Sequence, residues 1–82
     1  MAKLKNIPIQ KFEEQFNKEY KFLYEHDNVA GYDEAVDAFD EFIKTENGSK
    51  FVGEFCNYMG DFIGSDREAA AFMFALSTFE ED

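Results

Sequence analysis

The strongest constraint on how this chain can fold is the stretch Ser65-Asp66-Arg67-Glu68-Ala69-Ala70-Ala71-Phe72-Met73-Phe74-Ala75-Leu76. It opens with a serine three residues ahead of a glutamate. In that spacing the Glu68 backbone N–H donates to the Ser65 hydroxyl, and the Ser65 N–H donates back to the Glu68 carboxylate. Gly64, just before it, is a natural end for a preceding element. From Ala69 to Leu76 every residue is apolar. A helix apolar nearly all round has to be buried, so this segment is expected to be the post on which the rest of the chain leans.

Three further segments carry a helical period. Pro8 suits a helix start, where its missing N–H costs nothing. Ile9, Phe12, Phe16, Tyr20 and Leu23 follow at spacings of three and four, which confines them to a stripe of about 80°. Phe22 falls on the opposite side, as a second packing contact or an exposed aromatic anchor. His26 to Gly31 interrupts the pattern, with Asp27, Asn28 and Gly31 as turn formers, and His26 is placed to satisfy the last carbonyls of the first helix. In the second segment Ala35, Val36, Ala38, Phe39, Phe42 and Ile43 share one half of the wheel, facing away from Asp33, Glu34, Asp37, Asp40 and Glu41. Asn47-Gly48-Ser49 then reads as a turn, with Ser49 as cap of a third helix. That helix turns Phe51, Val52, Phe55, Cys56, Tyr58, Met59, Phe62 and Ile63 to one side. Gly53 and Gly60 lie on its edge. A glycine inside a helix costs ~1 kcal/mol relative to alanine, so the pair suggests a backbone passing close by.

The pattern therefore predicts an all-α fold: a compact single-domain bundle of four short helices at about 8–25, 33–45, 50–63 and 66–79. Residues 1–7 and 80–82 are expected to be loose.

Charge is the most informative bulk property. Eighteen acids against eight Lys or Arg give a net charge of −10. The imbalance is confined to residues 27–82, where Lys44, Lys50 and Arg67 are the only Lys or Arg against fourteen acids. Such a surface repels nucleic acid and acidic membranes and attracts basic partners. Solubility alone is the plainer role for it. The single cysteine, Cys56, allows no internal disulfide. The first residues lack the apolar stretch of a signal peptide, and no apolar run approaches the ~18–20 residues that span a bilayer. A cytoplasmic protein is expected, in the host cell if phage-encoded. Asn47-Gly48-Ser49 fits a glycosylation pattern, but without a secretory signal it reads as the turn already described.

Motifs for chemistry are missing. Asp27 to Asp33 does not space its acids as a calcium loop does. One His and one Cys give zinc and di-iron sites no support, so neither metal nor cofactor is expected. Cys56 and His26 form the sole Cys–His combination, and Cys56 falls on an apolar face where a thiol behaves as a small hydrophobe. Acyl carrier proteins, also small, acidic and helical, modify a serine in an Asp-Ser-Leu motif. Ser65 stands instead in Gly64-Ser65-Asp66-Arg67 and reads as a helix cap.

What remains is the acidic face of the second helix. Asp33, Glu34, Asp37, Asp40 and Glu41 place one carboxylate per ~2.7 Å of helix axis, at a rise of ~1.5 Å per residue. Duplex DNA carries one charge per ~1.7 Å over both strands and one per ~3.4 Å on one strand. In composition the chain (small, acidic, helical, aromatic-rich, without catalytic motifs) resembles phage-borne and mobile-element inhibitors of restriction or CRISPR nucleases. The expectation is a non-enzymatic inhibitor or regulator whose carboxylates stand in for phosphates on a basic, nucleic-acid-binding protein or nuclease. Asp33, Glu34, Asp37, Asp40 and Glu41 would carry the contact, with Phe22 or Tyr24 as an aromatic anchor. It would bind neither nucleic acid nor membrane. The alternative is a small adaptor that self-associates, as a homodimer, through Phe22, Tyr24 and the Gly53/Gly60 edge.

Overall fold

The computed structural model of the chain describes residues 7–26 and 28–80. Four helices follow in order: α1 (Ile9–Glu25), α2 (Tyr32–Phe42), α3 (Glu46–Met59) and α4 (Asp66–Glu80). They form a small all-α bundle, with no strand among the described residues. No helix of these residues is long and apolar enough to cross a membrane. Residues 1–6, Asp27, Glu81 and Asp82 lie outside the description, as does the side chain of Glu80. Ile7, expected in a loose lead-in, packs against the core instead.

α4 is the central post. Ala69, Ala70, Ala71, Phe72, Ala75 and Leu76 are all buried, and α1 and α2 pack most extensively on it. The three alanines present only methyl groups, so neighbouring helices can approach without a bulky side chain between them. The start of α4 differs from expectation in one bond. The Glu68 N–H donates to Ser65 Oγ at 3.3 Å, as the spacing implies. The Glu68 carboxylate, however, accepts from Ser65 Oγ and from the Gly64 N–H, both at 3.1 Å, one residue earlier than a standard capping box. The bond thereby ties the α3–α4 connection to the helix.

Phenylalanine rings fill the interior. Phe72 of α4 lies 4.9 Å from Phe12 of α1, 5.3 Å from Phe39 of α2, and 5.8 and 5.6 Å from Phe51 and Phe55 of α3. All four pairs are edge-to-face, the arrangement that sets a ring's positive edge against its neighbour's negative face. Phe12 repeats the pattern with Phe51 at 5.0 Å and Phe55 at 4.9 Å. Rings from all three amphipathic stripes thus meet at a common centre. The α1 stripe is as read: Phe12, Phe16 and Leu23 are buried, with Ile9 and Tyr20 packed at its edges.

The α2–α3 corner corrects the sequence reading. Asn47-Gly48-Ser49 is not a turn but the first turn of α3, and the cap is Thr45 rather than Ser49. Thr45 Oγ1 accepts from the Gly48 N–H at 2.9 Å and donates to the Phe42 carbonyl at 2.8 Å, so one hydroxyl caps α3 and closes α2. α2 consequently ends at Phe42, three residues early, and α3 runs from Glu46 to Met59 instead of 50 to 63. Gly48 is buried at this corner. A Cβ there would lie 1.9 Å from the Phe42 carbonyl oxygen, so the close backbone approach expected at Gly53 and Gly60 occurs at Gly48 instead. Nothing lies within 4 Å of a Cβ at Gly53 or Gly60. Gly60 serves as the left-handed cap of α3, at φ 75°.

The apolar faces of α2 and α3 are also narrower than the wheel implied. Ala38 and Ile43 are exposed on α2 and just beyond it, as are Tyr58 and Phe62 on the α3 side. Phe62 and Ile63 fall beyond the end of α3, where successive residues diverge: Ile63 packs on the core and Phe62 points away.

Two glycine substitutions should therefore act in opposite directions. Gly48→Ala is expected to destabilise by about 1–3 kcal/mol through overpacking against backbone. Gly53→Ala, in open space within a helix, should stabilise by about 0.5–1 kcal/mol. Urea unfolding followed by circular dichroism measures both. Phe72→Ala, which removes the common centre, should cost about 3–5 kcal/mol in the same assay.

Candidate partner-binding surface

α2 is eleven residues long, and the acidic row occupies nearly all of it. Gly31 starts the helix in a left-handed conformation, at φ 84°, and supplies no side-chain cap. Asp33 and Glu34 instead place negative charge in the first turn, where the helix dipole favours it. Ala35 and Phe39 are buried against α4 and fix the rotation of α2. Asp33, Glu34, Asp37, Asp40 and Glu41 are consequently all exposed. At 3.6 residues per turn they span an arc of roughly 120°. The structure thus brings these five carboxylates together on one rigid face.

Asp37 is the hub of the row. Asp33 and Glu34 lie four and three residues before it, and Asp40 and Glu41 three and four after it, so each is a neighbour on the helix surface. A like-charge pair at such a spacing destabilises a helix by about 0.2–0.5 kcal/mol. The four pairs together therefore cost α2 on the order of 1 kcal/mol, which tertiary packing has to offset. The one ion pair among the described residues joins Lys44 Nζ to Glu41 Oε2 at 3.4 Å, between two largely exposed side chains. It relieves one end of the row and leaves Asp33 to Asp40 unpaired among the described residues.

The aromatic candidates stand at one end of the bundle. Phe22 is 44% exposed. Its expected second packing neighbour proves to be no core residue but His26, whose ring stacks on it at 4.2 Å. His26 Nδ1 lies 2.8 Å from the Phe22 carbonyl oxygen, in the capping role read from the sequence. Tyr24 is 69% exposed, with the Arg67 guanidinium 5.1 Å from its ring centroid.

One member of each pair, His26 and Arg67, lines an open cleft of about 530 Å³. Leu23 and His26 of α1, Asn28 and Val29 of the turn, Tyr32, Asp33 and Glu34 of α2, and Arg67 of α4 line it. The cleft thus joins the amino-terminal end of the acidic row to the neighbourhood of Phe22 and Tyr24. Asp37, Asp40 and Glu41 continue along α2 beyond it.

The sequence reading missed this cleft, and it missed Phe62 as a surface residue. Phe62 is 80% exposed in the α3–α4 connection, the most exposed large apolar side chain described. Gly60 and Gly64 flank it, a signal that the segment leaves the helix. Hydrogen bonds pin the connection on both sides. The Gly60 and Asp61 N–H groups donate to the Cys56 carbonyl at 2.9 and 3.2 Å, and the Phe62 N–H donates to Asp61 Oδ1 at 2.8 Å. Cys56 itself is half-buried on α3. Among the described residues no three His, Cys, Asp or Glu side chains are grouped to hold a metal ion.

No protein-family model, curated protein or solved structure matches the chain.

The repulsion within the row gives a direct test of its geometry. Asp37→Asn should stabilise the fold by about 1 kcal/mol at low salt. The gain should shrink severalfold at ~1 M salt, where screening acts over about 3 Å. Urea unfolding of both proteins at the two salt concentrations checks this.

Proposed function

We propose that this protein is a non-enzymatic inhibitor or regulator that occupies a basic, nucleic-acid-binding groove by presenting carboxylates in place of phosphates. The observation that carries the reading is the α2 row: five exposed carboxylates on one face, with Asp37 surrounded by four like charges. Solubility needs net charge, but it does not need like charges at i±3 and i±4, where they weaken the helix. A surface that meets a basic partner gains from that concentration, because attraction grows with every carboxylate the partner neutralises. Rigidity contributes as well. A helix held by a packed core loses little freedom on binding, whereas a flexible acidic tail would have to be ordered. The setting for such an encounter is a cytoplasm, the host's if the chain is phage-encoded.

A second reading, self-association through apolar surface, gains support from Phe62 rather than from the Gly53/Gly60 edge. A pinned loop holding an aromatic ring in water suits a contact. The net charge of −10 opposes bringing two copies together.

Affinity capture from a cell lysate at ~50 and ~300 mM salt distinguishes the readings. The wild type should retain a basic nucleic-acid-binding protein at low salt and lose most of it at high salt. Asp37→Lys with Asp40→Lys should abolish capture while leaving the helical circular dichroism unchanged. In sedimentation a monomer is expected. A dimer that Phe62→Glu dissolves would favour self-association instead.

A further inference from the structure

We infer that Asn47-Gly48 is a latent self-modification site, where the Gly48 backbone nitrogen attacks the Asn47 side chain, and that the Thr45 hydroxyl holds it shut. The inference is independent of any partner. Asparagine followed by glycine is the pairing most open to this reaction, because glycine has no side chain to hinder its nitrogen. The nitrogen loses its proton to hydroxide and bonds to Asn47 Cγ. The bond from Cγ to the side-chain nitrogen breaks, ammonia leaves, and a succinimide ring closes. Water then adds to either ring carbonyl and reopens the ring, giving aspartate or isoaspartate at position 47. Water is consumed, ammonia is released, and nothing is oxidised or reduced.

Packing keeps the reactive pair in place. A Cβ at Gly48 would lie 1.9 Å from the Phe42 carbonyl oxygen, so the corner cannot exchange the glycine for a more hindered neighbour. The Asn47 side chain is exposed, so water and hydroxide reach it. Backbone geometry is what holds the reaction off. Both residues lie in the first turn of α3, and ring closure needs the peptide to swing away from helical ψ. The Gly48 N–H donates to Thr45 Oγ1 at 2.9 Å, and the same hydroxyl donates to the Phe42 carbonyl at 2.8 Å. Attack therefore requires this turn to open, and helix ends open at far lower free energy than the whole fold. The two products differ in consequence. Aspartate adds one negative charge to a chain already at −10, at a position where the helix dipole favours it. Isoaspartate puts an extra methylene into the main chain and shifts Gly48 out of register with the Phe42 carbonyl.

Peptide mass spectrometry of the full chain, incubated at mildly alkaline pH, tests the site by following aspartate and isoaspartate at position 47. In the chain unfolded in urea, Asn47 should be modified ahead of Asn6, Asn17, Asn28 and Asn57. In the folded chain its modification should be at least about tenfold slower. Thr45→Val, which keeps the shape and loses the hydroxyl, should speed modification of the folded protein about fivefold, the factor that loss of a helix cap carries. Thr45→Ser retains the hydroxyl and should stay within about twofold of wild type. Circular dichroism shows whether each variant is folded. Should Thr45→Val fail to fold, the wild type alone decides: exchange of the Gly48 amide and modification of Asn47 should rise in parallel as urea is added below the unfolding transition. Equal rates in the folded and unfolded chain, an unchanged rate in folded Thr45→Val, modification that begins at another asparagine, or exchange and modification that rise independently would each overturn the assignment.

Discussion

Phe72 contacts rings from all three other helices, and the rest of the structure depends on those contacts. A chain of 82 residues has a high surface-to-volume ratio and little interior to spare. Aromatic rings answer that limit, because each buries more apolar area than an aliphatic side chain and edge-to-face pairs add to it. The alanines beside Phe72 are the complement of the same design: large rings from α1, α2 and α3 fit together only where the central helix is thin. The burial of Phe39 against Phe72 then sets the rotation of α2, and with it the outward direction of the acids.

Most of this arrangement was legible in the sequence. The run Ala69–Leu76 could not be solvated, and the stripe Ile9–Leu23 had one width and one direction. The α2–α3 corner was not legible, for a definite reason. Asn-Gly is a strong turn signal where both residues are free to take left-handed conformations. Here the Thr45 hydroxyl offers the Gly48 N–H a partner, so the same dipeptide becomes the first turn of a helix. What demanded a glycine was the Phe42 carbonyl pressing on the position, a tertiary fact that no local pattern contains. Gly53 and Gly60 carried the opposite lesson. Both looked like sites of close approach, and both are open; Gly60 is needed for its left-handed cap conformation instead.

The acidic row could be read because helix periodicity and charge were both in the sequence. Its partners in space could not be. Arg67 reaches Tyr24 across 43 positions of chain, and the cleft is assembled from three helices and a turn. Phe62 was assigned to the α3 face because its spacing continues that of Phe55 and Met59. The left-handed Gly60 ends the periodicity two residues earlier and turns the ring outward.

On the function proposed above, α2 competes for a groove that otherwise holds nucleic acid. Fluorescence anisotropy of a labelled duplex on the captured partner, with this protein added in increasing amounts, tests it most directly. Mutually exclusive binding, in which the duplex is displaced completely and more of it raises the apparent Kd in proportion, is the predicted result. A ternary complex in which duplex and protein remain bound together would contradict the claim.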